Sequence, residues 1–164
     1  MKTFHNFSIT SFVMLLVFFG ITFAVAAAGG RFTAEAIPVW YAGLQKPPLT
    51  PPSWSFGVVW GVLYAAMSVS VWLVWVQRHT HRVGIPLTLY FLQLALNLLW
   101  SIVFFTLRSP GWALVEIIVL LFFIVATALV FKMVNRVSYL LFVPYFLWVL
   151  FASYLNAGFW WLNR

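Results

Sequence analysis

The sequence predicts an all-α integral membrane protein, a five-transmembrane-helix bundle in a single domain covering residues 1–164. Composition is the first reason. Hydrophobic residues make up 65% of the chain and charged ones 7%, with a mean hydropathy of +1.03. A soluble domain keeps about a quarter of its residues charged, and a bilayer removes that need. Charge placement is the second reason. Uncharged stretches run from Lys2 to Arg31, Lys46 to Arg78, Arg82 to Arg108 and Arg136 to Arg164, and Glu116 alone interrupts a fifth between Arg108 and Lys132. The third is that one connection alone is long and rich in proline.

The expected spans are residues 7–29, 53–77, 84–107, 110–132 and 137–161, each near the roughly 20 residues that cross a hydrocarbon core. Lipid cannot satisfy open backbone groups, so these segments must be helical. The formal charge of +7 would suggest nucleic acid in a soluble protein. Here the cations sit singly or in pairs beside apolar runs, as membrane anchors do, which argues against nucleic-acid binding. With no cysteine in the chain, disulfides and thiolate metal sites are excluded.

In the first span, Lys2 and the run Phe23-Ala24-Val25-Ala26-Ala27-Ala28 imitate a secretory cleavage signal. The apolar stretch exceeds the core of such a signal, so the segment is expected to be retained. Residues 30–52 follow as a long loop holding five of the eight prolines. Pro47, Pro48, Pro51 and Pro52 impose extended or turn geometry, and the loop reads either as a lid over a ligand or as a stiff spacer. In the second span Gly57, Trp60, Gly61 and Tyr64 share one helix face. Gly57-x-x-x-Gly61 is a small-residue pattern that admits a close backbone, within the bundle or in a homodimer.

The third span carries Tyr90, Gln93, Asn97, Trp100, Ser101 and Phe104 on one stripe, and the fifth carries Tyr145, Trp148, Ala152, Asn156 and Phe159 beside Leu155. Two readings remain open for these stripes. They are glue between helices and an interfacial aromatic belt, or they converge on a flat-walled pocket for a planar hydrophobic ligand. The fourth span opens at Ser109-Pro110, a helix-start signal, and holds Glu116. A carboxylate there is expected to pair with Arg31, Lys46 or Arg108, or else to serve as a proton or cation site. Catalytic and metal-ligating sets are missing. His5, His79 and His81 lie on the side opposite the long loop and are poor candidates for haem ligands. The cation balance favours a cytoplasmic N-terminus with the long loop on the opposite side.

Several motifs extend this reading. Trp40-Tyr41-Ala42-Gly43-Leu44-Gln45-Lys46-Pro47 is followed by Pro51-Pro52-x-Trp54 and Val59-Trp60-x-x-Leu63-Tyr64. Gln93-Leu94-x-Leu96-Asn97 with Trp100, Phe104-Phe105, Gly111-Trp112-Ala113-Leu114, Pro144-Tyr145-x-x-Trp148 and Leu155-Asn156 come after them in order. Together they closely resemble the translocator protein (TspO/MBR) family, whose bacterial members are tryptophan-rich sensory proteins and whose mammalian members are peripheral benzodiazepine receptors.

The resemblance implies a five-helix bundle, often a homodimer, that binds tetrapyrroles such as protoporphyrin IX and haem as ligands and requires no cofactor. It places the ligand under the loop joining the first two helices, against Tyr41, Trp60, Tyr64, Asn97, Trp100, Trp148, Ala152 and Leu155. Receptor, sensor or transporter is then the leading expectation. Its rivals are light-dependent porphyrin breakdown using Trp60 and Trp148, and a proton- or cation-coupled carrier using Glu116. Arg31 and Lys46 are the expected partners for porphyrin propionates. Mammalian members carry a sterol motif with tyrosine where this chain has Ala157, so a mammalian-type cholesterol site is not expected.

Overall fold

The structure, a computed structural model, describes residues 8–164. Lys2, His5 and the start of the first span at residue 7 lie outside the described residues. Five helices follow in order: α1 Ile9–Ala36, α2 Ser53–Val76, α3 Gly84–Ser101, α4 Pro110–Val134 and α5 Arg136–Leu162. Each is long and apolar enough to cross a membrane.

Two boundaries differ from expectation. The first helix does not stop near residue 29 but continues to Ala36, so the loop covers 37–52 rather than 30–52. Two local contacts carry the helix past Arg31. Arg31 Nε donates to Glu35 Oε1 at 3.0 Å, an i,i+4 pair, and Thr33 Oγ1 donates to the Gly29 carbonyl at 3.0 Å. Pro38, which has no N–H to donate, then ends the ladder. The third span is not regular to residue 107: after Ser101 it widens into a π-helical turn over Ile102–Thr106. The fourth starts at Pro110 as expected, with proline in the first turn, where a missing N–H costs nothing. Asn135 alone joins α4 to α5, and its side chain accepts from the N–H groups of Val137 and Ser138.

The helices close into a ring in the order α1, α2, α5, α4, α3, with α1 touching both α2 and α3. At the α1–α3 seam Gly29 is buried, and a Cβ there would stand 3.3 Å from Ser101 Oγ. Inside the ring the expected stripes of α3 and α5 meet α2. Tyr64 Oη donates to Asn97 Oδ1 at 2.6 Å, Asn97 Nδ2 donates to Tyr145 Oη at 3.0 Å, and Tyr145 Oη donates to Gln93 Oε1 at 2.9 Å. Thr22 and Tyr90 hydroxyls meet at 2.6 Å across α1 and α3. Interhelical hydrogen bonds in bilayers average only about 0.6 kcal/mol, so these set register more than they add stability. Trp54, Trp112 and Trp161 face outward near the loop end, where indoles anchor at the membrane interface.

The loop is tied to the end of α5. Asn163 accepts from the Gln45 N–H at 2.9 Å and donates to the Gln45 carbonyl at 3.0 Å, while Tyr154 Oη donates to the Pro48 carbonyl at 3.3 Å. The Pro47 ring sits on Gly158, where a Cβ would come within 2.5 Å of the Pro47 Cβ.

Three outcomes follow. Asn97→Leu strands the Tyr64 hydroxyl and lowers stability by about 1–3 kcal/mol, read as a reduced thermal midpoint in detergent. Thr127→Val, whose hydroxyl bonds only to Phe123 of its own helix, stays within about 0.5 kcal/mol of the parent. Gly158→Leu expels Pro47 and speeds limited proteolysis within residues 37–52; unchanged protection would mean the loop is held elsewhere.

Candidate ligand cavity

A cavity of about 490 Å³ opens inside the loop end of the ring. Its α2 wall is Phe56, Gly57, Trp60, Gly61 and Tyr64; its α5 wall is Trp148 and Ala152; Trp100, Ser101 and Phe105 close it from α3 and the π-helical turn. The fourth wall comes from α1, through Phe23, Ala26, Ala27, Gly30, Thr33, Ala34 and Ile37. These recur every three or four positions, so one face of α1 lines the space. Small side chains on that face keep the wall set back.

The rings are ordered by one another. Trp60 stacks on Tyr64 with centroids 5.4 Å apart and planes 30° apart, and meets Tyr145 edge-on at 6.2 Å. Phe56 meets Trp148 edge-on at 6.2 Å. Trp100 Nε1 donates to Asn156 Oδ1 at 3.0 Å, and Asn156 Nδ2 donates to the Pro110 carbonyl at 2.7 Å, which locks that indole in place. The Trp148 Nε1 is buried and makes no hydrogen bond to the protein.

Five of the residues expected at the site, Trp60, Tyr64, Trp100, Trp148 and Ala152, therefore share one cavity. Tyr41 and Leu155 do not line it. They border a separate void of about 30 Å³ that shares Phe56, Trp100, Phe105 and Ala152 with the main one. Tyr41 packs on Phe159 at 5.2 Å and Phe105 at 6.1 Å instead of closing a mouth. Its buried hydroxyl has no protein partner, and burial pushes its phenol above the usual tyrosine range.

Asn97 lies behind Tyr64, spent on the hydrogen-bonded chain. Arg31 and Lys46 line neither space. Arg31 is exposed and pairs with Glu35, and Lys46 Nζ stands 5.5 Å from the Tyr41 ring centroid. The expected ion pair of Glu116 is absent: both its oxygens are buried without a protein partner. It sits on the inward stripe of α4, whereas Arg31, Lys46 and Arg108 are all exposed. Gly57 and Gly61 face the cavity, with open space where a Cβ would stand. Within this chain their pattern makes room for the cavity, not for a neighbouring helix.

The contribution of α1 escaped the sequence reading. Its signal is the small-residue run Ala26-Ala27-Ala28-Gly29-Gly30, of which only Ala26-Ala27-Ala28 enter the sequence reading, as part of an imitation of a cleavage site.

Comparison with known proteins places this architecture. Residues 18–162 match the TspO/MBR family. The tryptophan-rich protein TspO of Archaeoglobus fulgidus is 40% identical, over 85% of this chain and 90% of its own. The human translocator protein is 41% identical over 80% of this chain and 79% of its own. The tryptophan-rich sensory protein of Cereibacter sphaeroides is 36% identical over 80% of this chain and 84% of its own. The chain belongs to the TspO/MBR family and is an integral, multi-pass membrane protein.

Proposed function

We propose that the protein is a membrane receptor, sensor or transporter for tetrapyrroles such as protoporphyrin IX and haem, bound in the α1–α2–α3–α5 cavity. The observation that carries the reading is three indoles, Trp60, Trp100 and Trp148, around one apolar space of about 490 Å³. That volume falls within the roughly 300–1,000 Å³ of ligand pockets. Flat rings prefer flat partners. The names of relatives, sensory protein and translocator protein, agree with sensing or transport. Tyr64 and Ala152 act as walls in this reading. Tyr41, Leu155 and Asn97 support them from behind.

The N-terminus is assigned to the cytoplasm, with residues 37–52 on the far side. That follows the five cations Lys2, Arg78, Arg82, Lys132 and Arg136 on one side against Arg31, Lys46, Arg108 and Arg164 on the other, where Glu35 offsets Arg31. A homodimer is implied by the family resemblance.

A second reading, light-dependent breakdown of the bound pigment, is favoured by the placement of Trp60 and Trp148 on the same cavity, with Trp60 stacked on Tyr64. An indole beside an excited pigment is a ready electron donor.

Titration of tryptophan fluorescence with protoporphyrin IX tests the first reading. Trp60→Leu with Trp148→Leu removes two aromatic contacts worth about 1–3 kcal/mol together, so affinity falls roughly 5- to 150-fold. Unaltered quenching and affinity would dismiss this cavity as the site. Gly57→Leu fills the space from α2 and abolishes binding. The fold is retained, because leucine in a helix is favoured over glycine by up to about 1 kcal/mol. Illumination separates the second reading: bound porphyrin must lose its absorbance faster than free porphyrin, and the double tryptophan variant must lose that excess.

A further inference from the structure

Glu116 has no role in the cavity, yet its placement demands one. The chain holds only two acidic side chains. Glu35 is exposed and paired with Arg31, and this is the one ion pair among the described residues. Glu116 sits on the inward stripe of α4 with Ala113, Ile117 and Leu120. It is 9% exposed, and neither carboxyl oxygen hydrogen-bonds to the protein.

The elements packed on this part of α4 are α3, the π-helical turn and α5. The sequences of Gly84–Ser101 and Ile102–Thr106 contain no lysine, arginine, histidine or acid, and α5 contains only Arg136, at its opposite end. The titratable group within electrostatic reach of Glu116 is Tyr145 of α5, with Tyr64 of α2 and Tyr90 of α3 in reach of Tyr145 in turn. All three are neutral phenols. An ionised carboxylate in such a place, without a cation or hydrogen bond, is strongly disfavoured by its lost hydration. No side chain nearby supplies the countercharge. A proton does, and it needs no coordination shell.

We propose that Glu116 is a proton-binding site in the bundle interior, coupled to the cavity wall through the chain Tyr145–Asn97–Tyr64. Release of the proton places a negative charge within electrostatic reach of Tyr145. Tyr145 accepts from Asn97, and Asn97 accepts from Tyr64, which lines the cavity. A charge that reorients the Tyr145 hydroxyl therefore reaches the cavity wall through two hydrogen bonds. The inference stands independently of which ligand fills the cavity.

Infrared spectroscopy of the full chain in lipid nanodiscs tests it directly, because only two carboxyl side chains exist. The expected result at neutral pH is the carbonyl stretch of a protonated carboxylic acid, clear of the carboxylate and amide bands and shifted by deuteration. It persists in Glu35→Gln, vanishes in Glu116→Gln, and moves in frequency in Tyr145→Phe. If Glu116→Gln fails to fold, carboxyl-labelled glutamate in the Glu35→Gln chain assigns the band by its isotope shift. Absence of the band at neutral pH, or its survival in Glu116→Gln, overturns the site. A band that Tyr145→Phe leaves unmoved overturns the coupling.

Discussion

In a bilayer an apolar helix gains nothing by hiding its leucines from lipid, so the arrangement of the five spans depends on the few groups that lipid cannot satisfy. Here that constraint is met by Tyr64, Asn97, Tyr145 and Gln93, which join α2, α3 and α5 through hydrogen bonds of 2.6, 3.0 and 2.9 Å. Each bond is weak by itself. Their joint geometry is exacting, because rotating any one helix leaves a phenol or an amide facing hydrocarbon. The chain therefore acts as a register key, and the aromatic rings around it pack in the positions that the key allows.

Immediately on the loop side of that key the helices stop filling the interior. Ala26, Ala27 and Gly30 on α1, with Gly57 and Gly61 on α2, present too little side chain to reach across. The space survives because its walls are held from outside. Trp100 is locked by Asn156, Phe105 lies in the wide turn after α3, and the loop is fastened to α5 through Asn163 and the Pro47–Gly158 contact. A void with rigid aromatic sides and few polar atoms suits a flat ligand taken from the membrane. The same rigidity separates it from the smaller void beside Tyr41.

Much of this site was legible beforehand. Polar and aromatic residues spaced three or four apart marked the inner faces of α2, α3 and α5, which brought Trp60, Tyr64, Trp100, Trp148 and Ala152 together. Asn97 was correctly read as inward, but whether an inward amide meets a ligand or a tyrosine depends on a partner 33 or 48 positions away. The α1 wall was illegible for a different reason. Alanine and glycine facing a cavity and the same residues facing lipid have the same chemistry, so periodicity carries no signal. Glu116 was expected either to pair with a cation or to serve as a proton or cation site. The rotation of α4 turned it into a seam of neutral side chains.

By itself, the sequence determined that five segments cross the membrane and where most of them begin and end. Hydropathy, charge and proline act within each segment and need no neighbour to take effect. The tertiary structure alone decided the ring order α1–α2–α5–α4–α3, the cavity that α1 completes, and the isolation of Glu116. Those outcomes depend on the summed fit of side chains from distant segments, and no single segment's composition encodes which surfaces it will meet.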